Sequence, residues 1–219
     1  MLNEPRTARP TGRGATPPPR QRHSGQLRDG LEFLRGFLRH PTRVGSIVPS
    51  SRRLEQRLVR EARVAEAHTV VELGPGMGGT TAAFLHAMPL AAQLLAIELD
   101  ANFYQHLRST VQDPRFTLEL GSAEQLEDLL AAWGLPAPDA IVSGIPFSTM
   151  TPEAADRIAA SIAKVLRPDG RFVAYQVRGH VADFVSPYLG QPDKRWEVVN
   201  VPPVCVFTWV KREGRAKVP

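Results

Sequence analysis

A chain of 219 residues is long enough for one full hydrophobic core and a short appendage. A single cysteine, Cys205, excludes an intrachain disulfide, and the longest Ala- and Leu-rich run, residues 81–97, is broken by His86, Pro89 and Gln93; no leader or membrane span is expected, the compartment reads as cytoplasmic, and any membrane contact is expected to be peripheral. The net charge of +5 is uneven, since residues 1–60 hold 13 Arg against 4 acidic residues and carry +9, an asymmetry that marks contact with nucleic acid or an anionic membrane, or else a solvated arginine-rich tail.

Residues 1–26 combine five prolines with Arg, Gly and Thr and almost nothing apolar, and read as a disordered basic tail. Two amphipathic helices are expected over 27–64. In the first, Leu27, Leu31, Leu34 and Leu38 share one face with Phe33 and Phe37, Arg28, Arg35 and Arg39 flank it, and Pro41 ends it. That face suits the interface of an anionic membrane; the alternative is packing on the protein's own domain. The second helix, capped by Ser50 or Ser51, runs to about Val64 with Leu54 and Leu58 inward.

Residues 65–219 form the third region. Strand, loop and helix alternate from Thr69, which implies a parallel sheet covered on both faces. Strands are expected near 69–73, 93–98, 116–120, 139–143, 171–177, 196–200 and 204–210, and helices near 79–88, 101–111, 123–133, 152–166 and 180–189. Only residues 201–203, with Pro202 and Pro203, join the last two strands, a link too short for a parallel crossover and right for an antiparallel hairpin. The turn Leu166-Arg167-Pro168-Asp169-Gly170-Arg171 is expected to be type I or II.

The motifs sit at the strand ends. Residues 70–80 read VVELGPGMGGT, a buried strand and a carboxylate followed by glycines that let the backbone approach a ligand. Glu98 ends the second strand, where a carboxylate accepts both hydrogen bonds of a ribose diol; Asp100 is the alternative, with helix capping as its other role. With Glu72 two residues before Gly74, the loop resembles the signature of S-adenosylmethionine-dependent methyltransferases. That resemblance implies a seven-stranded α/β, Rossmann-like class I sheet with a C-terminal antiparallel hairpin. It places S-adenosylmethionine against Glu72, Gly74, Gly76 and Gly78, Glu98 and Leu99, Ser122 and Ala123, and Ser143 and Gly144. Ser122 departs from it, because many relatives carry an aspartate there.

Four segments together resemble the bacterial phospholipid N-methyltransferases, which convert phosphatidylethanolamine stepwise to phosphatidylcholine. They are Phe37-Leu38 to Val48-Pro49-Ser50-Ser51, the glycine loop, Val142-Ser143-Gly144-Ile145-Pro146-Phe147, and Tyr175-Gln176 with Asn200-Val201-Pro202-Pro203. The resemblance implies an amino phospholipid substrate, or another amino lipid such as ornithine lipid, and a segment containing Ser46 and Ile47 folded over the cofactor. Phe147, Tyr175 and Tyr188 are candidate aromatic walls for the methylated amine, each with a core role as its alternative, and Arg178 is a candidate partner for the lipid phosphate. The related rRNA adenine dimethyltransferases carry Asn where this chain has Gly144, so a nucleic-acid substrate is disfavoured. Methyl transfer needs no metal, and the histidines show no chelating spacing.

Overall fold

The computed structural model describes residues 50–177, 179–200 and 203–212. The expectations for the tail, the first amphipathic helix, Ser46, Ile47 and Arg178 lie outside these residues.

Ser51 accepts a hydrogen bond from the Leu54 amide and starts α1 (Arg52–Glu61), which buries Leu54 and Leu58. It stops at Ala62, before the expected Val64, because Arg63 turns into a left-handed conformation and Val64 begins a separate 3-10 turn. The alternation follows as β1 (Thr69–Leu73), α2 (Gly79–Ala87), β2 (Gln93–Glu98), α3 (Ala101–Thr110), β3 (Phe116–Leu120), α4 (Leu126–Ala132), β4 (Ala140–Ser143), α5 (Pro152–Val165), β5 (Arg171–Gln176), α6 (Val181–Leu189), β6 (Asp193–Glu197) and β7 (Val204–Val210). The helix expected over 123–133 is divided, its first three residues being a 3-10 turn capped by Ser122. Thr151 and Pro152 give α5 a side-chain cap and a preset first residue.

The seven strands form one sheet ordered β3-β2-β1-β4-β5-β7-β6. The first five are parallel, and β7 runs antiparallel to both β5 and β6. Val71, Ile97, Ile141 and Phe172 pack against α4, α5 and α6, whereas Val70, Leu94, Val142 and Val173 face α1 and α2. Because β1, β4 and the centre of β5 are buried on both faces, they read as unbroken apolar runs.

One strand differs from its expectation. β6 occupies Asp193–Glu197 rather than 196–200, and six residues separate it from β7. Val198 and Val199 suggested a strand but stand exposed in a turn, while the polar residues 193–195 pair with β7. The 167–170 turn is type II: Gly170 bonds back to the Arg167 carbonyl, and Asp169 takes the left-handed φ of 59° usually given to glycine.

Candidate active site

All five parallel strands end at one edge of the sheet, where α/β folds hold ligands. The strand ladder continues into the loops there, with Gly74 bonding to Ile97, Gly121 to Glu98 and Gly144 to Leu73. Within the glycine loop, Gly76 has a φ of 56° and open space where a β-carbon would stand. Room and backbone conformation together suit the close approach of a ligand.

Two buried carboxylates lie beside this loop. Glu72 accepts hydrogen bonds from the Thr80 hydroxyl and, at 2.7 Å, from the Thr81 hydroxyl, tying β1 to the first turn of α2. Burial pushes its carboxyl up to about 7, against the two hydroxyl bonds that favour the ionised form. Glu98 accepts from the Gly76 amide at 3.0 Å and the Asp100 amide at 2.9 Å, so it fastens the glycine loop to the end of β2; burial raises its carboxyl as well. Asp100 caps α3 through the Asn102 and Phe103 amides. Neither Glu72 nor Glu98 has a cationic side chain among its described partners. The cradle therefore favours a ligand with positive charge over a pyrophosphate, which two buried carboxylates would repel. S-adenosylmethionine, a zwitterion with an additional sulfonium charge, fits these residues.

Gly144, at the end of β4, is packed tightly. A β-carbon there would come within 2.5 Å of the Tyr175 hydroxyl oxygen and 3.0 Å of the Gly74 carbonyl oxygen. Tyr175 fills the space an asparagine side chain would need. Its hydroxyl bonds with Thr80 and Ser50 near Glu72, and burial holds the phenol well above its ordinary pKa, so it acts as a neutral donor and acceptor. Gln176, the next residue, donates to the Ile145 carbonyl at 2.8 Å and fixes the 144–146 loop.

A family model described as "Methyltransferase domain" matches residues 70–170. The chain is 29% identical over 147 residues to an ornithine lipid N-methyltransferase of Singulisphaera acidiphila, covering 67% of this chain and 77% of that protein. It is 40% identical over 97 residues to a ribosomal RNA small subunit methyltransferase A of Opitutus terrae, spanning 42% of this chain and only 33% of that protein's length. Among solved structures, a Burkholderia thailandensis 1,6-didemethyltoxoflavin-N1-methyltransferase with bound S-adenosylhomocysteine superposes with a TM-score of 0.62 at 19% identity, over 89% of this chain and 94% of that one. The chain has the class I methyltransferase fold.

Within that methyltransferase fold the remaining expected residues are dispersed. Leu99 follows Glu98 and is half-buried, and Ala123 is buried beneath the β3 end. Ser143 is fully buried, and its hydroxyl has no hydrogen-bond partner among the described residues. Ser122 spends its hydroxyl on the Glu124 amide in a capping box with Gln125, so the expected adenine contact competes with a structural bond. Phe147 is not a pocket wall: it is 1% exposed and stacks on Phe184 in the core under α6. Tyr188 is also misplaced for substrate. It sits in the last turn of α6, bonded to Asp156, and that helix ends where Gly190 accepts from Trp209, the partner of Phe172 near the start of β5. This is the opposite end of the sheet from the loops.

Sequence reasoning missed Thr80 and Thr81 as holders of Glu72, and Gln176 as holder of Ile145. The signal for the threonines was present, since two adjacent hydroxyls in a first helical turn lie within reach of a carboxylate at the preceding strand end. Asn200 had a motif but no role; it is 4% exposed, and its side-chain oxygen accepts from the Ser51 amide at 3.1 Å. Among the described residues no group of three His, Cys, Asp or Glu is arranged to hold a metal, and no helix is long and apolar enough to cross a membrane.

Proposed function

We propose that this chain is an amino-lipid N-methyltransferase working at a membrane surface on the inner face of the cell membrane, with phosphatidylethanolamine as the first substrate to test. The cofactor is S-adenosylmethionine, which supplies an electrophilic methyl group on a sulfonium sulfur. The observation that carries the reading is the pair of buried carboxylates, Glu72 and Glu98, at the open ends of the strands with no described cationic partner. A site of this charge favours cations, and amine methylation has a cation on both sides of the reaction.

The chain's own contributions are alignment and proton removal. Glu98 holds the glycine loop in register with β2, and Gln176 holds the 144–146 loop that faces it across the strand ends. The attacking amine must first lose a proton. Tyr175, Thr80 and Glu72 form a hydroxyl-to-carboxylate chain from the Gly144 loop into the interior, and the carboxyl at its end sits near 7, matched to accept that proton. Ring and hydroxyl of Tyr175 both lie at the β5 end, where the amine would be presented.

Ornithine lipid is the second reading, favoured by the similarity over 147 residues to an ornithine lipid N-methyltransferase. An adenine in RNA is a weaker one, because Tyr175 occupies the place where an asparagine would hold the base amine. The test offers radiolabelled S-adenosylmethionine to the full chain with phosphatidylethanolamine, ornithine lipid and rRNA in parallel. Label in the lipid extract of either amino lipid supports the reading, with the favoured lipid naming the substrate; label in RNA alone rejects it.

A further inference from the structure

Seven large apolar side chains are exposed among the described residues, and six of them lie at the end of the molecule that carries the candidate site. Met77 is in the glycine loop, Leu120 ends β3, Val177 follows β5, and Trp196, Val198 and Val199 belong to the end of β6 and the turn beyond it. The seventh, Leu90, is at the far end, between α2 and β2. Register brings the last group to one end of the sheet: Trp196 stands level with Cys205 and Gln176, and Val177 and the 198–199 turn lie one step beyond, so they crown the same end of β5, β7 and β6, with Trp196 and Val177 on opposite faces.

The turn is held in place from both sides. Glu197, 2% exposed, receives the Arg57 guanidinium at 2.9 Å, and Asn200, 4% exposed, binds the α1 N-terminus at Ser51. Between these two anchors Val198 and Val199 are 70% and 52% exposed, and Trp196 is 60% exposed. Arg52 and Arg53, exposed in the first turn of α1, stand beside the same anchors, with Arg53 3.6 Å from Glu197.

We propose that this β6–β7 tip is a membrane-docking surface, in which Trp196, Val198 and Val199 enter the interface of an anionic bilayer while Arg52 and Arg53 meet its headgroups. The proposal rests on the amino-lipid reading and explains how the strand ends reach a substrate that stays in its membrane. The chemistry selects the partner. Tryptophan favours the boundary between hydrocarbon and headgroup, valines need an apolar phase, and arginines gain from anionic lipid. A nucleic acid would satisfy the arginines and leave the valines in water.

The test uses the full chain and vesicles of phosphatidylethanolamine with phosphatidylglycerol, compared with pure phosphatidylcholine. Of the three tryptophans, Trp209 is 1% exposed and Trp133 is half-buried and bonded to Glu119, so exposed-tryptophan fluorescence reports Trp196. Brominated acyl chains in the anionic vesicles are expected to quench it, and Trp196→Phe to remove that quenching. Val198→Glu with Val199→Glu is expected to lower vesicle partitioning about tenfold or more, with unchanged thermal unfolding, cofactor binding and turnover of detergent-solubilised amino lipid. Unquenched Trp196, or wild-type partitioning of the double variant, overturns the proposal. So does concentration-dependent self-association without vesicles that the double variant loses, which would make the tip a contact between copies. Normal docking with no methyl transfer to any amino lipid would instead overturn the substrate reading and leave the surface standing.

Discussion

Glu98 joins the two loops through its hydrogen bonds to the Gly76 and Asp100 amides, each of the charge-assisted kind that contributes about 1.5–3 kcal/mol. Glu98→Ala should weaken cofactor binding by about tenfold or more, and calorimetry on the folded variant checks it. Glu72 gives a pH dependence. Its folded carboxyl lies above the ordinary 4.5, at about 7, so over this window the folded chain binds more protons than the unfolded one and stability falls as pH rises. Glu72→Gln removes that loss; its gain over wild type should grow from pH 4.5 to 7 and level off above, by at most about 3 kcal/mol, as read from urea unfolding without cofactor. At Gly144, an added methyl group meets the Tyr175 hydroxyl at 2.5 Å. Gly144→Ala should cost about 1–3 kcal/mol by overpacking, less in a Tyr175→Phe background, and additive costs in that double-mutant cycle would reject the contact. Tyr175→Phe alone should lower turnover with cofactor binding kept.

At the scale of elements, α1 and the β6–β7 hairpin are distant in sequence and share one buried charge. Glu197 is 2% exposed beside Arg57, while Arg53, its other partner, is 66% exposed. Arg57→Ala leaves the buried carboxylate with the solvated Arg53 and the long 3.4 Å bond from the Val199 amide, and unfolding free energy should fall by about 2–3 kcal/mol, with an unchanged denaturant slope. Arg53→Ala, by contrast, should cost less than about 1 kcal/mol. These two elements give Asn200 a role: its side-chain oxygen accepts from the Ser51 amide, so the loop after β6 meets the start of α1 at the site's edge.

For the whole molecule, charge is divided between regions. Residues 1–60 carry +9 in a chain of net +5, so attraction to an anionic surface is concentrated at the start of the chain and at the α1 end of the described structure. Deleting residues 1–26, which have almost nothing apolar to bury, should leave lipid methylation near the wild-type rate. Deleting 1–40 also removes the leucine and phenylalanine face and should abolish it, with binding to anionic vesicles reduced and more salt-sensitive. Parallel assays of the two truncations on vesicles check both outcomes; equal loss in the two would assign the effect to the tail.

Much of the architecture was legible because parallel strands buried on both faces are continuous apolar runs bounded by glycine, proline and polar residues. The expected bounds of β1, β2, β3 and β7 coincide with those observed, and Asp100 caps α3 as its position before a helix suggested. β6 was misread for the converse reason. Its residues 193–196 are exposed, so no burial pattern marks them, and their pairing with β7 is what makes them a strand. The same limit applies at the site. Local pattern identified Glu72, the glycines and Glu98, whereas the core position of Phe147, the distant end of α6 that holds Tyr188, and the closure of Tyr175 over Gly144 depend on contacts between residues far apart in the chain. Periodicity reports which face of an element is apolar; only the packed structure decides which side chains meet there, because those distances are set by the neighbouring elements.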